Sequence, residues 1–309
     1  MYQQNINLCA AVLPGFTFSE MIDVASSAGF SGIEMRVHDD GHKNLVELEK
    51  EGAFIARRLE KAQLNVPVLN SYCAVDDDAV VDRLLKCCQE MNIPKVRLVL
   101  PRSCQASVSR QANISELLPS YSSVQEPFFL MKSLRHTLRT LEKKALKYGV
   151  KVLLELHWGT VMSSFSSAYF LLADIDPELV SITFDPANMM VEGKEDWEFG
   201  LKLIQPHLDN VHVKNMSWFV ANKQWQWAWS SLTEGMVDWY ELTQLLTTQK
   251  YSGDYAVEDF LVPQDSLVAA VDYLRIVREE FAGILSLSQL AAALEQTKPN
   301  VVQLNSKAA

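Results

Sequence analysis

The sequence predicts an α/β fold built as one (β/α)8 barrel, and three observations lead there. Short runs rich in Val, Ile and Leu recur along the 309 residues, separated by stretches of helical periodicity. That is the pattern of parallel strands buried on both faces and joined by crossover helices. Four consecutive runs, at residues 152–157, 180–185, 211–214 and 255–258, carry Glu155, Asp185, His212 and Glu258, side chains able to bind a metal ion. Side chains at the C-terminal ends of consecutive strands converge if the sheet curves into a barrel, at the mouth where active sites form. A chain of this length could also make two domains, but the repeat runs throughout and favours one.

Composition narrows the partners. Hydrophobic residues make up 48% and charged residues 21%, as expected of a globular enzyme. The net charge of −10 argues against nucleic acid, which calls for a basic face. Five cysteines, Cys9, Cys73, Cys87, Cys88 and Cys104, form no CxxC pair, and their odd number fits a reducing compartment. The N-terminal residues show no signal-peptide pattern, and no apolar run reaches the roughly eighteen residues that span a bilayer, so a cytoplasmic protein with no membrane partner is expected.

Element by element, residues 6–12 read as the first strand, and Phe18-Ser19-Glu20 opens a helix ending near Ala28-Gly29, with Ser19 as its cap. Residues 32–37 form the second strand. There Glu34 and Arg36 share a face by alternation, as a buried ion pair or as polar substrate contacts. A helix over 44–64 carries Leu45, Leu48, Ile55 and Leu59 at helical spacing, and a strand over 66–70 ends in Asn70, a candidate substrate contact. Helix 76–91 and strand 95–100 follow. The Ser- and Gln-rich stretch 101–123 is too long for an ordinary connection at this mouth. It reads as an active-site lid or a surface insertion, with Arg102 at its root as a further substrate candidate. A long helix over 126–148 stops at Gly149. Helices near 166–174, 197–205 and 238–249 link the last four strands, and helix 265–281 completes the barrel. Residues 286–295 read as an additional short helix before a frayed end, giving a barrel over 1–285 and a helical tail over 286–309.

A carboxylate or imidazole alone in an apolar strand is usually a paired core residue; four together change that weighting. Three carboxylates and one imidazole suit a hard to borderline divalent ion, so Mn²⁺, Mg²⁺ or Co²⁺ comes ahead of Zn²⁺. Left without a cation, their charges would repel in a low-dielectric mouth.

The motifs Gly32-Ile33-Glu34, Leu154-Glu155-Leu156-His157, Phe184-Asp185-Pro186-Ala187-Asn188, Val211-His212-Val213-Lys214, Glu234-Gly235-Met236-Val237-Asp238-Trp239 and Val257-Glu258 stand in this order over residues 6–280. Together they resemble the sugar isomerase and epimerase superfamily with the xylose-isomerase-like TIM barrel. The resemblance implies one divalent ion held by Glu155, Asp185, His212 and Glu258, with Glu155 and Glu258 also moving protons beside the carbonyl of a keto-sugar, keto-inositol or related polyol. Two positions depart from the ketose 3-epimerases of that group, in which His stands where Asn188 is and Arg where Trp218 is. Conversely, Glu155 and His157 resemble the Glu-x-His pair of metal-dependent 3-dehydroshikimate dehydratases. His157 is then an acid or base of an elimination, or a residue behind the ligands.

Lys214 shares the face of His212 and is read as reaching a substrate oxygen or an acidic neighbour. Trp225, Trp227 and Trp229 alternate in the loop after the seventh strand, as a stacking surface for a sugar ring, as lid packing or as a contact between copies of the chain. No Gly-rich phosphate loop is visible, which favours an unphosphorylated, carbohydrate-like small molecule. Repair endonucleases share the barrel but resemble one another in a His-rich trinuclear zinc site, which six histidines and an acidic charge do not match. A non-catalytic carbohydrate-binding barrel is the third class, and homo-oligomerisation is left open.

Overall fold

The computed structural model describes residues 5–102 and 127–297. Eight parallel strands close into a barrel: β1 (Ile6–Cys9), β2 (Ile33–Val37), β3 (Val68–Ala74), β4 (Lys95–Val99), β5 (Lys151–Glu155), β6 (Val180–Phe184), β7 (Leu208–Val213) and β10 (Asp254–Val257). Each barrel strand pairs with its neighbours in chain order, and β1 against β10 closes the ring, with Ile6 opposite Tyr255 and Leu8 opposite Val257. Every residue of β1, β2 and β6 is buried, as strands lined by core on one face and helices on the other must be. The helices α1 (Phe18–Ser27), α2 (Leu45–Lys61), α3 (Asp78–Met91), α4 (Pro127–Tyr148), α5 (Phe165–Leu172), α6 (Pro186–Glu192), α7 (Trp197–Ile204), α8 (Trp239–Thr248) and α9 (Leu267–Thr297) complete the α/β architecture.

Most helix starts are set by a side chain that accepts an otherwise orphaned backbone N–H. The first is capped by Thr17 and not by Ser19: Thr17 Oγ1 accepts from the Glu20 N–H, and the Glu20 carboxylate accepts from the Thr17 N–H at 2.8 Å. The Thr-x-x-Glu spacing of a capping box outweighs the serine two residues later. Asn44 and Glu47 repeat the device on α2, and Asp77 and Asp238 cap α3 and α8.

Three differences from the sequence reading bear on the site. The first strand stops at Cys9 and gives way to a 3-10 turn, Ala10–Val12. The segment after β7 is not a loop: β8 (Asn215–Ala221) and β9 (Gln224–Ser230) form an antiparallel hairpin with Trp218 opposite Trp227. Asn222 and Lys223, at φ 53° and 61°, make the left-handed turn that such a two-residue hairpin needs. The Trp-x-Trp-x-Trp alternation is thus a strand period. The expected pair of C-terminal helices is one continuous α9, because Gly283 costs only about 1 kcal/mol relative to Ala in a helix interior and does not break it. Ser288 beyond it is fully buried, with its Oγ 2.7 Å from Thr243 Oγ1 on α8. Residues 103–126 and 298–309, and with them most of the expected lid and the frayed end, lie outside the described residues. Among the described residues no helix is long and apolar enough to cross a membrane.

Behind β6, Phe165 of α5, Phe184 and Trp197 of α7 pack with ring centroids 5.3–6.0 Å apart. Gly200 permits that approach, since a Cβ there would lie 1.9 Å from Phe165 Cδ2. Gly200→Ala should therefore destabilise the protein by about 1–3 kcal/mol, the range for overpacking a filled core. Urea denaturation reads this as a lower midpoint, and an unchanged midpoint would contradict the packing described.

Candidate metal centre

Four consecutive barrel strands each deliver one ligand-type residue to the same mouth. Glu155 is the last residue of β5, Asp185 follows β6, His212 is the penultimate residue of β7, and Glu258 follows β10. All four are buried, and one ligand atom from each lies within 4.8 Å of all the others. Asp185 is also the N-cap of α6, where its Oδ1 accepts from the Asn188 N–H at 2.9 Å and Pro186 occupies the first helical position. That short helix was not legible in the sequence, and it locks the carboxylate in place.

His212 decides what the cluster can hold. Its Nε2 lies 2.9 Å from Glu34 Oε2, and Glu34 is 1% exposed. Its Nδ1 points the other way, 3.4 Å from Glu155 Oε1, 3.6 Å from Asp185 Oδ2 and 3.3 Å from Glu258 Oε2, and makes no hydrogen bond. With the proton on Nε2 given to Glu34, Nδ1 presents a lone pair to three carboxylates, the donor set of a divalent cation. Carboxylate, imidazole and ion in series is the usual way to fix a ligand histidine's tautomer. Burial lowers the His212 pKa, but Glu258, Glu34, Glu155 and Asp185 together push it well above its ordinary value, so without a bound cation the ring itself takes up a proton, and an ion would take that proton's place.

Charge counting agrees. Glu34, Glu155, Asp185 and Glu258 face two fixed cations. Lys214 Nζ lies 2.8 Å from Asp185 Oδ2 and 2.5 Å from Glu258 Oε2, and the Arg97 guanidinium pairs with Glu155 Oε2. With His212 neutral, as a cation on its Nδ1 requires, four carboxylates against two cations leave two negative charges, the charge of one divalent ion. Burial raises the pKa of both Glu155 and Glu258, but Arg97 and His212 outweigh it at Glu155, and Lys214 and His212 at Glu258, so both stay ionised.

The pocket above the cluster has a polar side of Arg97, Glu155, His157, Asn188, Lys214 and Glu258 and an aromatic side of Tyr72, Trp158, Trp229 and Phe260. His157 Nδ1 lies 2.7 Å from the Trp158 carbonyl, which takes the Nδ1 proton and leaves Nε2 as the basic nitrogen, while burial lowers the pKa of the ring. Asn188 donates from Nδ2 to Glu155 Oε1 at 3.0 Å and to Asp185 Oδ2 at 2.9 Å, and its buried Oδ1 is unpaired. Trp229 stacks on Phe260 at 5.3 Å, and Lys214 Nζ lies 4.9 Å from the Trp229 ring centroid.

The other sequence candidates lie away from this pocket. Glu34 sits behind His212 and also accepts from Asn210 Nδ2 at 2.6 Å, so it does not pair with Arg36. Arg36 instead binds Asp40 Oδ1 at 2.7 Å. Asn70 is spent internally, accepting from Arg97 Nη1 at 3.1 Å and donating to Cys9 Sγ at 3.4 Å. Arg102 forms an isolated bridge to Thr160. Trp225 is 72% exposed near the hairpin turn, and Trp229 is the tryptophan of that strand at the pocket. Sequence reading passed over Arg97, although Lys95-Val96-Arg97-Leu98 carries its charge inside an apolar strand just as Glu34 and Arg36 do. Tyr72, Trp158 and Phe260 gave no comparable signal, since an aromatic next to a strand end is most often core.

The Glu234–Trp239 motif is explained by the backbone beside β8. Asn215 Nδ2 donates to the Leu232 and Val237 carbonyls at 2.8 and 2.9 Å, and its Oδ1 accepts from the Val237 N–H at 2.9 Å. A Cβ on Gly235 would lie 2.0 Å from that Oδ1, so only glycine fits. Trp239 Nε1 then donates to the Lys214 carbonyl at 3.2 Å, fixing the strand end that carries the ammonium.

A family model described as xylose isomerase-like TIM barrel matches residues 22–277. An inosose dehydratase from Mesomycoplasma hyopneumoniae (strain 7448) is 24% identical over 202 residues, 65% of this chain and 63% of that protein, so the match spans under two thirds of the curated relative. Among solved structures, the IOLI protein with a bound zinc atom is similar at a TM-score of 0.69 and 16% identity, covering 92% of this chain and 99% of that one. The 3-keto-D-glucoside 4-epimerase YcjR from E. coli is similar at a TM-score of 0.64 and 18% identity, covering 90% and 100%.

Glu34→Gln keeps the size of the side chain but removes the charge behind His212. Titration of the metal-free variant with Mn²⁺ should show affinity reduced by about 10–100-fold with the fold intact. Equal affinity in the two proteins would mean that Glu34 does not hold the imidazole for a metal.

Proposed function

The chain belongs to the xylose isomerase-like TIM barrel family, and from that premise we propose that it is a divalent-metal-dependent isomerase or epimerase of a keto-sugar, keto-inositol or related polyol. The observation that carries the reading is the Glu155, Asp185, His212 and Glu258 cluster, with an unpaired His212 Nδ1 and two uncompensated negative charges. Mn²⁺, Mg²⁺ or Co²⁺ suits this donor set, with Zn²⁺ as the alternative. A bound ion supplies Lewis acidity to the oxygens of a ketone and its neighbouring hydroxyl.

The protein's own groups do the rest. Glu258 and Glu155, both ionised and both at the pocket, take a proton from the carbon beside the ketone and return one. Return to the neighbouring carbon isomerises, and return to the other face of the same carbon epimerises. Lys214 keeps Glu258 ionised between turnovers and carries its ammonium into the pocket, where it meets a substrate oxygen. Asn188 Oδ1, an unpaired acceptor, receives a substrate hydroxyl. Trp229 and Phe260 present apolar faces to the C–H surface of the ring and help to keep water out.

A second reading, a lyase, is favoured by one observation: His157 lines the pocket with its basic Nε2 free of the Trp158 carbonyl, placed to take up the proton released by the substrate and pass it to a leaving hydroxyl. The match to an inosose dehydratase supports it equally. Both readings share the first proton abstraction and differ in whether water leaves.

A panel of keto-sugars, keto-inositols and 3-dehydroshikimate, followed by NMR in D₂O with Mn²⁺-loaded protein, separates them. Isomerase or epimerase action shows as deuterium incorporation or hydrogen transfer beside the ketone with no loss of water. Elimination shows as a conjugated enone or aromatic product, abolished by His157→Asn while metal stays bound. In either case Glu258→Gln should lose roughly 10²-fold or more in turnover. Near wild-type turnover in that variant would refute Glu258 as the proton-transfer group, and silence of the metal-loaded protein towards the whole panel would leave the non-catalytic barrel.

A further inference from the structure

A second cavity of about 180 Å³ lies beside the metal pocket, between the strand ends of β2 and β3. Leu45, Val80 and Leu84 line its apolar side, and His38, Ser71 and Tyr72 contribute to its polar rim. Tyr72 also lines the metal pocket, so one ring forms a wall of both spaces.

That ring is held stiffly. The guanidinium carbons of Arg36 and Arg97 lie 5.2 and 5.1 Å from its centroid, and the His38 ring meets it edge on at 5.4 Å. Arg97 is anchored on the metal-pocket side by Glu155, and Arg36 on the other side by Asp40. The partition is thus fixed by charged groups that are paired, and the one other charge of the lining, Asp39, is exposed to water at the rim and not set in the cavity wall. The cavity's volume is below the roughly 300 Å³ at which pockets begin to take a whole drug-sized molecule. It suits part of a ligand whose remainder sits elsewhere.

Building on the reading under Proposed function, we infer that this cavity is a substrate subsite for an uncharged, ring-sized group attached to the keto-sugar, so that the substrate is a keto-glycoside and not a free monosaccharide. The reacting ring lies over the metal cluster, and its substituent passes the edge of Tyr72. The mixed lining fits an aglycone or second sugar ring, which shows an apolar face to Leu45, Val80 and Leu84 and hydroxyl or ether oxygens to Ser71 and His38.

The test is calorimetric binding of a matched pair, 3-keto-glucose and its phenyl glycoside, to Mn²⁺-loaded wild-type protein and to Val80→Phe, which fills the cavity from α3. Wild type should bind the phenyl glycoside about tenfold or more tightly than the free keto-sugar. Val80→Phe should erase that advantage and leave binding of the free keto-sugar unchanged; Leu45→Phe, filling the same space from α2, takes its place if Val80→Phe does not fold. Equal affinity for the two probes in wild type, or equal weakening of both in the variant, overturns the subsite alone. Binding of neither probe overturns it together with the proposed carbohydrate function.

Discussion

An excess of buried negative charge at a barrel mouth, two units once His212 is neutral, is the constraint around which the rest of this site is arranged. Leaving even one carboxylate uncompensated in such a place costs several kcal/mol, so a structure that gathers Glu34, Glu155, Asp185 and Glu258 needs cations in return. Arg97 and Lys214 supply two, and the unpaired Nδ1 of His212 marks where the remaining charge belongs. The hydrogen bond from His212 to Glu34 is what turns that nitrogen towards the carboxylates. The surrounding contacts hold the parts in register, since Asn188 bridges Glu155 and Asp185, Asn210 holds Glu34, and Trp239 fixes the backbone of Lys214.

The barrel makes this arrangement durable. The four ligand-type residues stand on or just beyond parallel strands hydrogen-bonded on both sides, where side-chain direction is set by the pleat and not by a loop. Asp185 is held twice, by the end of β6 and by its role as cap of α6. Behind it the Phe165, Phe184 and Trp197 cluster leaves the strand no room to shift. By contrast, the aromatic side of the pocket draws on Trp158, Phe260 and the β8–β9 hairpin, which lie outside the barrel strands.

Much of this was legible in the sequence, for identifiable reasons. Val, Ile and Leu runs at regular intervals specify buried parallel strands, and a carboxylate or imidazole ending such a run is conspicuous, so the barrel and the four ligand-type residues could be read directly. What escaped depends on contacts distant in sequence. Glu34 reads as a pocket residue until the barrel places it behind His212, 178 positions away. Arg97 is a cation within an apolar strand, and nothing nearby announces Glu155 as its partner. The Trp225, Trp227 and Trp229 series stands out in the sequence, yet its period of two becomes a strand only through pairing with β8, and the hairpin register alone separates exposed Trp225 from Trp229 at the pocket. The two C-terminal helices expected over 265–281 and 286–295 are one, and Ser288 packed against Thr243 holds the second part on α8, a contact distant in sequence.

The central claim is that these four residues form one divalent-metal site. Elemental analysis of protein purified without chelator, beside a Glu155→Gln, Asp185→Asn double variant of unchanged circular dichroism, tests it most directly. The account predicts about one divalent ion per chain in the native protein and little in the variant, which has lost two charged ligands while keeping their shape. Equal metal content in the two proteins, or none in either after incubation with Mn²⁺, would contradict it.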